Sequence, residues 1–220
     1  MKIVIINASP RKTGATAKIL NEFAHNLFEK SDVEIKSINL SDYKINFCAG
    51  CCECYKSGVC HIDDDAEMLS GLIDSADGII IGTPTYASNV SGQLKVFIDR
   101  GHFVIEQLLK NKHTIGVVTY ENADGNTALK VLRKLCVFSG AKTFGKLVVK
   151  LPFNSKPLVS GKIKRISDRF YNTVKKNKSM SLINCLIHFF VFNFGIKPFV
   201  LKKGADYSGV KIHWERRNIC

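Results

Sequence analysis

Residues 2–24 read KIVIINASPRKTGATAKILNEFA. Lys2–Asn7 is an apolar, β-branched run that stops at Ala8-Ser9-Pro10. From Gly14 to Lys30 the apolar residues return at helical spacing, with Ala17, Leu20, Phe23, Ala24 and Leu27 on one face. The stretch therefore predicts a strand, a loop and a helix. The loop, Ser9 to Thr16, offers hydroxyls at Ser9, Thr13 and Thr16, a flexible Gly14, and the cations Arg11 and Lys12. Set against a helix N-terminus, that combination suits a phosphate. It has neither the ATP-type nor the dinucleotide-type glycine pattern. A hydroxyl in such a place also makes an ordinary helix cap, so the loop alone leaves both readings open.

Outward from this unit the chain keeps alternating. Val33–Leu40 predicts a half-exposed strand, and the carboxylates of Asp63-Asp64-Asp65 a helix start that runs to about Ser75. Gly78–Gly82 is a fully apolar strand of the kind found at the centre of a parallel sheet. A loop over Thr83–Tyr86, a helix over Ser91–Arg100, a strand over Thr114–Tyr120, a helix over Asn126–Ser139 and a strand over Lys142–Lys150 follow. This is an α/β chain: a doubly wound parallel sheet of five strands with right-handed crossovers. The flavodoxin-like order 2-1-3-4-5 is the expected version, with a ligand at the carboxyl edge.

At 220 residues the chain holds one α/β domain, placed at residues 1–150. Residues 151–220 read as a helical extension packed on that domain or on a dimer partner. Its first helix, Ser160–Lys178, is basic and amphipathic through Ile163, Ile166, Phe170 and Val174. Next comes an intensely apolar stretch, Ser181–Phe194, broken by Gly195 and Pro198. Carrying Asn184, His188 and Asn193, and short of ~20 apolar residues, it is expected to be buried against the domain or in a dimer interface rather than to span a membrane. Peripheral membrane contact helped by the surrounding lysines stays open. Fifteen of the 32 Lys and Arg and 16 of the 19 Asp and Glu lie in residues 1–140, so that part carries −1 and residues 141–220 carry +14. The asymmetry suits an acidic partner or an anionic surface. The first residues lack the charged region and cleavage site of an export signal, so a cytoplasmic protein is expected.

Five of the eight cysteines fall within residues 48–60. Cys48, Cys51, Cys54 and Cys60 are spaced as C-x2-C-x2-C-x5-C, with Cys52 as a fifth and Gly50 and Gly58 supplying turns. Four thiolates on one short segment can hold an iron–sulfur cluster or zinc, or remain metal-free redox thiols. Cys136 and Cys185 read as small buried residues, and Cys220 has no evident role. Asp99 and Arg100 read as a structural pair closing their helix, His102 and His113 as incidental.

Four blocks occur together and in order: the Ser9–Thr16 loop, the Cys48–Cys60 segment ending near Asp63-Asp64, Pro84-Thr85-Tyr86, and Ser91–Arg100. As a set they resemble the NADPH-dependent FMN reductase family of flavodoxin-like proteins, over roughly residues 1–150. The compact cysteine spacing is similar to that of the family's iron–sulfur flavoproteins. The resemblance implies an FMN-dependent oxidoreductase whose phosphate loop is Ser9, Arg11, Lys12, Thr13, Gly14 and Thr16. It gives Pro84, Thr85, Tyr86 and Asn89 to the ribityl chain and one side of the flavin. Thr119, Tyr120, Glu121 and Asn122, with Gly125, would border the other edge. NAD(P)H would be the donor, and a quinone, nitro compound, free flavin or protein the acceptor. A [4Fe–4S] cluster on Cys48, Cys51, Cys54 and Cys60, fed by a ferredoxin-like acidic protein, is the alternative. A homodimer or larger assembly is expected, and no nucleic-acid partner.

Overall fold

A parallel strand covered on both faces has no polar side, and the central strands obey this: Ile3–Ile6, Ile79–Ile81 and Ile115–Val118 carry almost no polar residue and are buried. The computed structural model describes residues 1–151, 160–179 and 181–219, so Cys220 lies outside the described residues. β1 (Lys2–Asn7), β2 (Glu34–Asn39), β3 (Gly78–Pro84), β4 (His113–Tyr120) and β5 (Thr143–Lys150) form one sheet in the order β2-β1-β3-β4-β5. Every neighbouring pair is parallel. The fold class and strand order are those expected from sequence.

The first helices are α1 (Ala15–Phe28), α2 (Glu53–Ser57), α3 (Ala66–Asp74), α4 (Gly92–Arg100) and α5 (Gly125–Phe138). Then come α6 (Ser160–Lys175), α7 (Leu182–Phe190), α8 (Lys197–Lys202) and α9 (Ser208–Arg216). On one face of the sheet α1 and α6 bury Leu20, Phe23, Ile163 and Phe170 against Ile3, Ile5, Ile80 and Val117. On the other, α3, α4 and α5 bury Leu69, Ile73, Leu94, Phe97 and Leu132 against Val4, Ile6, Ile79 and Ile81. A third cluster, Phe192, Val200, Tyr207, Val210 and Trp214, packs on Tyr55 and Ile105. It joins the end of the chain to the cysteine segment.

The C-terminal part departs from the expected helix break. Gly195 and Pro198 do not break the apolar helix, because a π turn over Val191–Ile196 joins α7 to α8 in one rod of 21 residues. Pro198 falls in the first turn after that widening, where its missing donor is tolerated. Of the two places expected to bury Ser181–Phe194, the domain or a dimer partner, the domain takes Phe192 and leaves most of the stretch open. Leu182 is 76% exposed, Phe194 70%, and Cys185 lies open with them. The helix spends its inward positions on Asn184, which accepts from Arg133, and His188, whose Nδ1 meets the Val137 carbonyl. Cys136, by contrast, is buried, and burial pushes its thiol up to about 12.

Candidate functional site

The carboxyl ends of β1, β3 and β4 bring three loops together. In the first, Ser9 is buried and its Oγ accepts from the Arg11 amide at 3.1 Å, while the Ser9 amide donates to Asn7. The local turn closes with Gly14 N–H donating to the Arg11 carbonyl. Gly14 is the N-cap of α1, and no side chain caps the helix. That removes the ordinary-cap reading of the hydroxyls. The first-turn amides of a 14-residue helix are left for an outside acceptor, with the positive end of its dipole behind them. Lys12 turns away from this cradle to pair with Asp42, whose carboxyl it holds below its usual range. Arg11 and Thr13 are exposed at the loop's rim.

Thr16 and Thr119 meet across the site, Oγ1 to Oγ1 at 2.7 Å, both buried. Two hydroxyls carry two protons and this bond uses one, so the pair keeps a donor for a ligand. In the second loop the Thr85 amide is tied to the Thr119 carbonyl at 2.8 Å, while the Thr85 hydroxyl is buried without a hydrogen-bond partner among the described residues. A buried, unpaired hydroxyl is costly, and Thr85 directly follows the carboxyl end of β3, where a ligand would satisfy it. Tyr86 and Asn89 close a tight turn whose corners, Ala87 and Ser88, stand at φ 47° and 61°. Non-glycine residues held left-handed mark stored strain of the kind found at ligand loops. Ser88 Oγ donates to Asp124, tying this loop to the third. There, a Cβ on Gly125 would lie 2.4 Å from the Tyr120 ring, so only glycine admits that approach.

Behind α4, Ser91 holds the loops in register. It caps the helix by accepting from Leu94 N–H, and its hydroxyl donates to the Ala8 carbonyl at 2.6 Å.

The cysteine segment hangs from a clamp that sequence reading did not find. Arg100 does not pair with Asp99, which goes to Lys95 one turn back. Adjacent residues on a helix point about 100° apart and cannot meet. The Arg100 fork instead takes both oxygens of Asp64, at 2.6 and 3.1 Å, with both side chains fully buried. Asn46 N–H donates to the same carboxylate at 2.8 Å, and Arg100 donates to the Asn46 and Ile62 carbonyls. Asn46 and Ile62 flank the cysteines, so one guanidinium closes the base of the loop. Asp64 and Asp65 thus bind backbone of the preceding segment rather than simply capping α3; Asp65 accepts from Lys44 N–H at 2.6 Å.

At the loop's far side α2 lies on α9. Ser208 donates to the Lys56 carbonyl, His213 Nε2 meets the Gly58 carbonyl at 2.8 Å, and Tyr55 stacks on Tyr207. Cys54 is buried there beside His102, which also bonds Glu106 at 2.8 Å. Burial works against the charged ring, but the Cys54 thiol and the Glu106 carboxylate together raise His102 to about 10. His102 is therefore part of this layer and not incidental, whereas His113 bonds Thr143 within the sheet. Cys48, Cys51 and Cys52 are exposed, and Cys51 Sγ lies 3.3 Å from His61 Nδ1. Among the described residues no three ligating side chains are gathered about one point. The four thiols are right in number and type for a cluster but do not converge, and no electron step is assigned through one.

Comparisons with known proteins bear on the family and the fold. The model of the NADPH-dependent FMN reductase family matches residues 1–155. An iron-sulfur flavoprotein of Clostridioides difficile is 37% identical over 225 residues, covering 100% of both chains. Another, of Archaeoglobus fulgidus, is 32% identical over 180 residues, covering 81% of this chain and 87% of its own. An NADH:FMN oxidoreductase in its apo form has a TM-score of 0.61 at 19% identity, covering 81% of this chain and 94% of that one. An FMN-dependent NADH-azoreductase from Bacillus anthracis, in complex with FMN, has 0.59 at 16%, covering 80% and 98%. At those identities the two structures speak to the fold alone. On the family match and the full-length relative, the chain belongs to the NADPH-dependent FMN reductase family and is a flavodoxin-like oxidoreductase.

Proposed function

We propose that the protein binds FMN at the carboxyl edge of its sheet and uses it to carry electrons from NAD(P)H to a quinone, nitro compound, free flavin or protein acceptor. The observation that carries this reading is the uncapped N-terminus of α1 opening on the same edge as the unpartnered Thr85 hydroxyl. The α1 amides and Arg11 would take the phosphate, with Ser9, Thr13, Gly14 and Thr16 shaping the loop. Thr85, with Pro84 and Asn89, would meet the ribityl chain, and Tyr86 would cover one side of the ring. Thr119 and the backbone at Gly125 would border the other edge. Bound FMN supplies the hydride and single-electron chemistry; these residues hold it and exclude water.

Arg11→Ala combined with Thr16→Ala is expected to weaken FMN binding about 10–100-fold, the worth of one charge-assisted hydrogen bond. Fluorescence titration of the deflavinated protein reads it, and unchanged affinity would remove the phosphate-loop assignment. Thr119→Val separates the hydroxyl pair from the cradle itself.

A second reading takes Cys48, Cys51, Cys54 and Cys60 as the thiolates that would hold a [4Fe–4S] cluster, which would supply one-electron chemistry toward a ferredoxin-like protein. The relatives' description as iron-sulfur flavoproteins and the clamped loop favour it. Protein purified without oxygen is then expected to show flavin bands, a dithionite-bleachable shoulder, and about four irons and four sulfides per chain. Flavin bands without iron would leave the two-electron reductase.

A further inference from the structure

The helical rod Leu182–Lys202 is built inside out. Two of its polar side chains, Asn184 and His188, face the domain and are satisfied there. Its other flank presents Leu182, Ile183, Leu186, Phe189, Phe190 and Phe194 to the outside, and only 11% of its most apolar stretch is buried. A contiguous apolar face of this kind on a water-soluble fold calls for a partner. Charge says which. From Arg169 to Ala205 the sequence has seven Lys and Arg and no Asp or Glu. Where the rod begins, at Ser181 and Asn184, it borders a groove lined by Lys130, Arg133, Lys146, Lys162, Arg165 and Arg169, again with no acid.

We propose that this face is a docking surface for an anionic lipid bilayer, with the rod lying in the plane of the interface. The aromatics enter the acyl boundary and the basic groove meets the headgroups, the arrangement of an interfacial helix. A second copy of the chain fits less well, because pairing through this face would bring two basic grooves, each lined by Lys and Arg with no acid, toward one another. An acidic protein would meet the groove but has no use for so many exposed phenyl rings. A spanning helix fits less well too. The rod's length, about 31 Å, would suffice. However, Phe192 and Val200 are anchored in the cluster around Trp214, and spanning would tear them out.

Flotation of the full-length, flavin-loaded protein with two vesicle types tests this. The expected result is binding to phosphatidylcholine mixed with phosphatidylglycerol, none to phosphatidylcholine alone, and release by raised salt or alkaline carbonate. Phe190→Glu with Phe194→Glu should abolish binding. Lys162→Gln with Arg165→Gln should weaken it roughly 5–25-fold, at about fivefold per cation. The second pair leaves the apolar face intact, so it reports even where the first misfolds; retained flavin absorbance in each variant shows the domain is unharmed. Equal binding to neutral vesicles, no binding to either, or resistance to carbonate would overturn the proposal. So would a dimer in solution that the Phe190→Glu, Phe194→Glu variant dissociates, since the face would then belong to a second copy.

Discussion

Arg100→Ala is expected to lower the free energy of unfolding by about 3–5 kcal/mol, the usual cost of removing one member of a buried ion pair. The effect is large because Asp64 stays behind, fully buried, with its charge answered only by the Asn46 and Ala66 backbone amides and the Asn46 side chain. Burial by itself would raise the Asp64 carboxyl; the Arg100 bond, followed by those two amides, outweighs it and holds the group below its usual value. The sign of the pH dependence follows. A carboxyl depressed in the folded state contributes stability above its unfolded value, about 3.9, and loses it as pH falls through the folded value. Wild-type stability should therefore decline in acid. In the variant, protonating the stranded carboxyl relieves its penalty, so the gap between the two proteins narrows as pH drops. Urea unfolding across that range checks both statements. Arg100→Lys keeps the charge without the fork and should fall in between. A loss under about 1 kcal/mol at neutral pH would mean that the clamp does not hold the cysteine loop.

Gly209→Ala is expected to cost about 1–3 kcal/mol and to pry α9 from the cysteine loop. Helix propensity alone predicts the opposite sign, since alanine is favoured over glycine by roughly 0.8–1 kcal/mol. Geometry decides. A Cβ at Gly209 would lie 2.1 Å from the Gly58 nitrogen and 2.6 Å from its Cα, and these are backbone atoms that cannot swing aside. Gly58 is itself fixed, at φ 83°, as the left-handed cap that ends α2. With α9 displaced, Cys54 should become accessible. Its labelling by a thiol reagent should accelerate while Cys136 stays inert. Gly71→Ala in α3, where nothing lies within 4 Å of the added carbon, serves as the control and should be neutral or stabilising.

The parts of the molecule that sequence revealed are those governed by short-range periodicity. The apolar runs of β1, β3 and β4 announce central parallel strands, and the three-to-four spacing of α1 and α6 names their buried faces. The loops that carry the candidate site were legible for the same reason, since in this fold they follow directly from the strand ends. Partners distant in sequence were not legible. Asp99 looked like the natural mate of Arg100, but helix geometry sends the guanidinium 36 residues away to Asp64. The apolar stretch after Ser181 misled because composition reports how oily a helix is and not which side it turns inward. Here two polar residues took the inward face.

The contact between α2 and α9 also sets an order of events in the making of the protein. The Ser208 hydroxyl that bonds the Lys56 carbonyl lies 152 residues further along the chain. At ribosomal speeds of 5–20 residues per second, that separation is roughly 8–30 s of synthesis. Cys54 thus leaves the ribosome with its neighbours long before the helix that closes over it exists. Whatever they are to receive, metal or oxidant, can reach Cys54 freely during that interval. Afterwards it must do so past a shut door.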